Sequence, residues 1–278
     1  GGSIHDVRRL EFDDRPAVVC KRARSATAAA TLAAERRGLQ WLRSTAGHLI
    51  RIPDCLGFSM RETVGVLLLE YLPPAPPSRE DWSVFGERLA AIHEVPAGDR
   101  YGFDHANFIG LNPQINAWHD DWVEFNRSCR LGPQIALAVS RGLLGVEERR
   151  ILESMMTRLS EWLPRRPFPS VLHGDLWSGN ILATREDGLA LIDPACSVGD
   201  GLADLAMMQL FGGVPEGCLD AYAAARGASL QDSTAQLRVY QAYHLLNHVN
   251  LFGRGYVPSL LQTIESLGIT RASGRNRP

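Results

Sequence analysis

Residues 171–195 read VLHGDLWSGNILATREDGLALIDPA. Two short apolar runs in this stretch each lead into an aspartate, Asp175 after VLHG and Asp193 after LALI. Asn180 follows Asp175 by five positions, and Asp193 follows Asn180 by thirteen. The segment NILA, the Asp187-Gly188 pair and LALI form a hairpin pattern, which returns Asp193 close to Asn180. Carboxylate and amide oxygens brought together suit a hard cation such as magnesium, with phosphate oxygens filling the remaining positions. Asp175, a turn earlier, stays free to accept a proton from an attacking hydroxyl.

A second oddity lies far upstream, in PAVVCKRARS at residues 16–25. Lys21 is the only lysine among 278 residues, against 28 arginines. It could be a leftover in an arginine-rich composition. Lysine, however, is a compact point charge and arginine a broad planar fork. A tight site that sets one small cation against a phosphate oxygen has no room for the fork.

Composition narrows the setting. The net charge is -2 and 45% of residues are hydrophobic, so a substantial core is available. No broad basic field invites nucleic acid or an anionic membrane. Cys20, Cys55, Cys129, Cys196 and Cys218 are scattered, with no C-x-x-C pair to suggest zinc or a disulfide framework. No apolar run is long enough to span a membrane, and GGSIHDVRRL does not read as a signal peptide. The expectation is a cytoplasmic protein, with a monomer favoured.

VRRLEF (7–12) and PAVVCK (16–21) read as strands joined by a turn. A helix follows from Ser25, a plausible N-cap, to Gly47. Strands are expected around 54–60 and at 65–71. LPPAPPS then breaks the pattern, because proline continues neither helix nor strand. Beyond it lie helical patterns near 80–94, 118–140, 145–163, 201–211, 215–226 and 233–252, interrupted by the strand-rich island at 170–193. The expected fold is α+β and two-lobed: residues 1–72 as a small antiparallel-sheet lobe, and residues 73–278 as a larger, mainly helical lobe.

The spacing H-x-D-x-x-x-x-N, followed thirteen residues later by Asp, resembles the catalytic loop and metal-binding aspartate of the protein-kinase superfamily. HGD in place of HRD is similar to the aminoglycoside-phosphotransferase-like branch. Within that branch HGDLWSGN resembles the fructosamine kinase (ketosamine-3-kinase) family. YGFDHANFIGLNPQINAWHDDWVEFNRSCRL at 101–131, DLAMMQLFGG at 204–213 and YQAYHLLNHVNLFGRGY at 240–256 extend the likeness over most of the chain.

The resemblance implies a protein-kinase-like fold that uses ATP and magnesium to phosphorylate C3 of small or protein-bound ketosamines. It implies Asp175 as base, Asn180 and Asp193 as metal ligands, and Lys21 on the phosphates with Glu35 as its partner. His173 and Asp204 become supports of the catalytic loop. Gly1, Gly2 and Ser3 fall in the glycine-rich phosphate loop, and backbone near Glu70 and Leu72 faces the adenine. Trp177 becomes a wall for the acceptor, and Asn107, Tyr243 and Asn247 candidate pocket residues.

Two departures matter. GGSIHD resembles the middle of the phosphate loop without the strand that precedes it, so the sheet edge at VRRLEF should be exposed or patched by a neighbour. Only ten residues separate Asp193 from Asp204, too few for an activation loop and peptide platform, which argues against a protein kinase. Rival readings are a kinase of an aminoglycoside, thiosugar or amino alcohol, and a pseudokinase that only binds nucleotide.

Overall fold

The structure, a computed structural model, describes residues 5–269. Gly1, Gly2 and Ser3, expected in the phosphate loop, lie outside the described residues. Four strands, β1 (Asp6–Leu10), β2 (Val18–Ala23), β3 (Cys55–Arg61) and β4 (Val64–Glu70), form an antiparallel sheet in the order β1-β2-β4-β3. β1 is an edge strand whose last four residues are exposed, with Arg8 and Arg9 at its centre. Lys21 therefore sits on the second strand described, inside the sheet, where its neighbours on both sides fix its register.

Between β2 and β3 runs α1 (Ala26–Ala46). Ser25 caps it by accepting from the Ala28 N–H at 3.2 Å, and the Gly47 N–H closes it on the Arg43 carbonyl. Ala28, Ala29, Leu32, Leu39 and Leu42 form its buried face. Small residues set its distance from the sheet: a Cβ on Gly65 would lie 3.1 Å from Ala29 Cα.

The strap at 71–78 explains how the sheet is tied to the rest. Proline has no N–H, so Ala75 is the one donor among residues 73–77. That donor is used: the Ala75 N–H reaches the Ala183 carbonyl at 3.0 Å, and the Arg185 N–H reaches the Pro73 carbonyl at 3.1 Å. The acceptor strand is β8 (Ile181–Thr184), paired with β9 (Gly188–Leu191). On the far side the Leu191 N–H reaches the Arg51 carbonyl at 2.9 Å. The β8–β9 hairpin is thus gripped on both edges by segments flanking the sheet.

The helical lobe begins with α2 (Arg79–His93), entered through a Ser78–Asp81 capping box. A hairpin of β5 (Asn107–Ile109) and β6 (Asn112–Gln114) follows. Next come α3 (Trp122–Phe125), a π-helical turn at 126–131, and α4 (Gly132–Ser140). The expected helix over 118–140 therefore starts four residues late, at the Asp121 cap, and is underwound into a wider π-turn in the middle. α5 (Val146–Thr157), α6 (Leu159–Trp162), β7 (Ser170–Leu172) and β10 (Ser197–Gly199) lead to α7 (Leu202–Leu210) and α8 (Glu216–Arg226). α9 (Thr234–Phe252) and α10 (Val257–Glu265) complete the lobe.

α9 is buried nearly all round, among α4, α7 and α10, which is why its sequence lacks a polar stripe. The β5–β6 hairpin, β10 and α10 were not expected from the sequence. No helix among the described residues is long and apolar enough to cross a membrane.

α2 packs against α8, and Gly86 marks their closest approach: a Cβ there would lie 2.1 Å from the Cys218 carbonyl oxygen. Gly86→Ala should force the helices apart and cost about 1–3 kcal/mol by overpacking. Chemical denaturation with an unchanged m-value and a lower midpoint is the expected result.

Candidate active site

Lys21 projects from β2 into the gap between sheet and helical lobe. Its Nζ donates to Glu35 Oε1 at 2.7 Å and also bonds the Asp193 carboxylate. Lys21 and Glu35 are buried, whereas Asp193 is half-exposed. Burial works against the lysine charge, but Glu35 and Asp193 together raise its pKa. Lys21 in turn holds Asp193 below the ordinary carboxylate range despite burial. Burial pushes Glu35 up to about 8, with Lys21 pulling it down and the Asp193 charge pushing it further up. One cation shared by two carboxylates leaves the weaker partner easily protonated.

The approach of α1 to the Asp193 segment depends on Gly38, three residues after Glu35. A Cβ there would lie 3.1 Å from Pro194 Cγ and 3.2 Å from Cys196 Sγ. Asp193 itself adopts φ +55°, a left-handed conformation uncommon for a non-glycine residue. Such backbone persists where its surroundings hold it, here at the end of β9 against α1 and Lys21.

The catalytic loop is anchored from behind by Asp204 on α7. Its carboxylate accepts from the His173 and Gly174 N–H groups, both at 2.8 Å, and lies 3.4 Å from His93 Nε2. His173 Nε2 donates to the Ile192 carbonyl at 2.9 Å, which leaves Nδ1 to accept from the Asp175 N–H at 3.3 Å. Burial lowers the His173 pKa and keeps the ring neutral. His173 and Asp204 thus hold the loop backbone through these bonds.

Gly174 explains HGD. Its φ is +81°, and a Cβ would lie 2.1 Å from the Ala195 carbonyl oxygen. No side chain fits where the loop crosses the segment after Asp193.

Asn180 Nδ2 donates to the Asp175 carbonyl at 2.8 Å and lies 3.3 Å from Asp175 Oδ2. The amide is thereby oriented with its oxygen free of protein hydrogen bonds among the described residues. That oxygen and the Asp193 carboxylate, on neighbouring segments, are hard donors of the kind a divalent cation takes. Among the described residues no group of three or more His, Cys, Asp or Glu forms a complete metal cage, so these two side chains would need phosphate oxygens or water to finish a shell. Burial and the Asp193 charge push Asp175 up to about 7.

Trp177 is 41% exposed, with its ring over Gly179, at the mouth of the loop. Three other candidates are differently placed. Asn107 is buried and donates to the Cys196 carbonyl at 2.8 Å, while its oxygen accepts from Gln114 and Asn116. Asn247 accepts from Asn112 Nδ2 at 2.8 Å, and Tyr243 donates to Gln114 Oε1 at 2.6 Å. These side chains are occupied by a buried amide network under the loop. Tyr243 also borders a cavity of about 30 Å³ shared with Arg130 and Gly174.

The Glu70 side chain binds Arg51 at 2.5 Å and accepts from the Asp54 N–H at 3.1 Å. Its backbone N–H is taken by Asp54, whereas neither backbone group of Leu72 has a backbone partner among the described residues.

His5 was missed. Its Nε2 lies 2.8 Å from Thr31 Oγ1 on α1, four residues before Glu35, so the start of β1 rests on the helix that holds Lys21. Nothing in the local sequence signals this contact.

A sheet lobe strapped over a helical lobe, with this cleft between them, defines a phosphotransferase of the protein-kinase-like class. Aminoglycoside phosphotransferase APH(4)-Ia shares that fold with a TM-score of 0.61, over 95% of this chain and 94% of its own, at only 15% identity. The fructosamine kinase family model matches residues 1–269, and the chain belongs to that family. A protein of Thermobifida fusca, provisionally assigned as a fructosamine-3-kinase, superposes with a TM-score of 0.84 at 30% identity, covering 97% of this chain and 92% of that one. A probable ketoamine kinase of Synechocystis is 36% identical over 84% of this chain and 77% of its own.

The raised pKa of Asp175 has a kinetic and a thermodynamic consequence. If Asp175 must be ionised to receive a proton, kcat/KM of the free enzyme should fall about tenfold per pH unit below about 7. In the opposite sense, the folded state binds this proton more tightly than the unfolded chain, so Asp175 costs stability as pH rises from the ordinary carboxylate range towards 7. Asp175→Asn should therefore abolish turnover while leaving the thermal midpoint at pH 8 unchanged or higher. A lower midpoint would show that the carboxylate is structural.

Proposed function

We propose that this chain is an ATP-dependent kinase of ketosamines, transferring the γ-phosphoryl group to the hydroxyl on C3 of the sugar. The observation that carries the reading is the charge relay across the cleft: Lys21 bound to both Glu35 and Asp193, with Asp175 beside Asn180 on the facing loop.

In this reading the sheet lobe covers residues 1–72 and the helical lobe residues 73–278, with the nucleotide between them. The adenine edge lies against the strap, where the Leu72 backbone has a donor and an acceptor to offer. Gly2 and Ser3 are assigned to phosphate binding. Lys21 turns its ammonium to the phosphate oxygens while Glu35 keeps it in place. Asn180 Oδ1 and the Asp193 carboxylate would hold magnesium, which supplies positive charge to the phosphates as the leaving group departs.

Asp175 accepts a hydrogen bond from the acceptor hydroxyl, orients it towards the phosphorus and takes its proton late. His173 and Asp204 keep that loop rigid, and most of the rate advantage comes from positioning and preorganised charge. Trp177 stands as a wall beside the acceptor. A 3-phosphate lies β to the C2 carbonyl, so the product can eliminate phosphate and release the amine. The activity would thus repair glycated amines.

The deciding experiment incubates the protein with ATP, magnesium and ribulosyl-, erythrulosyl- or fructosyl-lysine, and follows ADP. Phosphorus and proton NMR of the product then locate the phosphate. ADP formation with a phosphate at another carbon would retain the kinase and remove the C3 assignment.

Lys21→Arg tests the site itself. The positive charge is kept, but the guanidinium must enter a buried slot between two carboxylates. Turnover should fall roughly 10²-fold or more, the scale of losing one preorganised donor. Stability should fall by about 1–3 kcal/mol from overpacking. Wild-type turnover would mean that the chain's single lysine does no chemistry.

A further inference from the structure

α7 ends at Phe211, which is 39% exposed and lies 4.5 Å, ring to ring, from His248 on α9. His248 lies 5.4 Å from Phe252 and 5.0 Å from Tyr256, and Phe252 is 60% exposed. Four rings from three elements therefore form one patch that faces solvent. The His248 Nδ1 donates to the His244 carbonyl at 2.8 Å, since a carbonyl can only accept, and Nε2 is left without a proton. Burial lowers the His248 pKa, so the ring is uncharged at neutral pH. Among the described residues no carboxylate bonds any of the four rings, and Arg254, between Phe252 and Tyr256 in the chain, is paired with Glu148 at 3.0 Å.

The segment that follows Phe211 reaches the loop that carries Trp177. A Cβ on Gly213 would lie 2.5 Å from Ser178 Oγ, so the chain two residues beyond Phe211 touches the residue after Trp177. On the other flank a Cβ on Gly110 would lie 2.8 Å from Leu251, so the β5–β6 turn, with its exposed Leu111, packs on the last turn of α9. Large exposed apolar side chains scattered singly need no explanation, but a run of them leading away from a site does.

We propose that this aromatic shelf binds the substituent on the amine of the acceptor, and that it favours an uncharged alkyl or aryl arm several carbons long. The inference rests on the ketosamine reading. In that reading the reacting hydroxyl is at Asp175, and only C2 and C1 separate C3 from the nitrogen. The sugar is thus consumed within the loop, and whatever the nitrogen carries must leave past Trp177. The surface that receives it there is the shelf. An arm with the length of a lysine side chain reaches across it, whereas a methyl group does not.

The test uses fructosamines that share one sugar and carry methyl, butyl, hexyl or benzyl on nitrogen, with ADP release giving kcat/KM for each. For the wild type, KM should fall about twofold per added methylene, below the roughly fourfold expected for complete burial. In Phe252→Ala and Phe211→Ala the hexyl-to-methyl ratio of kcat/KM should drop about fivefold. Phe252 is largely exposed, so thermal midpoints distinguish this from misfolding. A ratio that is flat in the wild type, or steep but unaltered in both variants, overturns the shelf and leaves the kinase standing. Turnover of none of the four compounds would instead sink the ketosamine reading, and the shelf with it.

Discussion

A single buried ammonium joins the two lobes. Lys21 comes from the sheet, Glu35 from the helix packed on it, and Asp193 from a loop 172 residues further along the chain. Taking a cation out of water costs several kcal/mol unless close partners compensate it, and removing one partner leaves the rest uncompensated. The contact therefore constrains everything around it. α1 must come close enough for Glu35 to reach, which is why Gly38 lies against Pro194 and Cys196. Asp193 must turn its carboxylate towards the sheet, and does so with a left-handed backbone. The β8–β9 hairpin that carries it is held by the strap on one edge and by Arg51 on the other.

The same cluster carries a charge imbalance. Two carboxylates share one ammonium, and Asp175 stands close enough to feel Asp193. Glu35 and Asp175 are pushed towards their protonated forms by burial and by the Asp193 charge, whereas Lys21 holds Asp193 down against burial. Carboxylates set apart in this way characterise sites built for catalysis more than for stability. In the proposed reading, the missing positive charge arrives with the metal–nucleotide. The apo cleft is then a preorganised receptor whose electrostatic cost is relieved on binding.

Legibility in the sequence follows the range of the interactions. The β8–β9 hairpin between Asn180 and Asp193 was readable because its pairing is local and the Asp187-Gly188 pair marks its turn. α1 was readable to within a residue because Ser25 and Gly47 mark its ends. The π-turn at 126–131 was not, since periodicity assumes a regular helix and the extra residue is absorbed by tertiary contacts. α10 carried a usable signal, Pro258 at its start and apolar residues at helical spacing, that was passed over. Asn107, Tyr243 and Asn247 were placed near the acceptor because a polar residue on a buried face can belong to a pocket or to a core. The distinction depends on partners such as Asn112 and Gln114, which no local pattern names.

That amide network has a consequence for how the acceptor site is built. Buried amides cost free energy unless paired, and here they pair with one another and with the backbone behind the loop. Asn107 and Gln114 both bond carbonyls of the segment following Asp193, at Cys196 and Ala195. Arg130, buried without a carboxylate, is held by the carbonyls of Ile115 and Cys129 and by Asn116, with its face over Phe125. Burial lowers its pKa, yet guanidinium stays charged under any physiological condition. Directional bonds of this kind fix a surface in one arrangement, which apolar packing achieves less strictly. A rigid polar floor lies beneath the loop and a looser aromatic shelf lies beside it. The first suits a group whose hydroxyl must be aimed, and the second suits a group that only has to leave water.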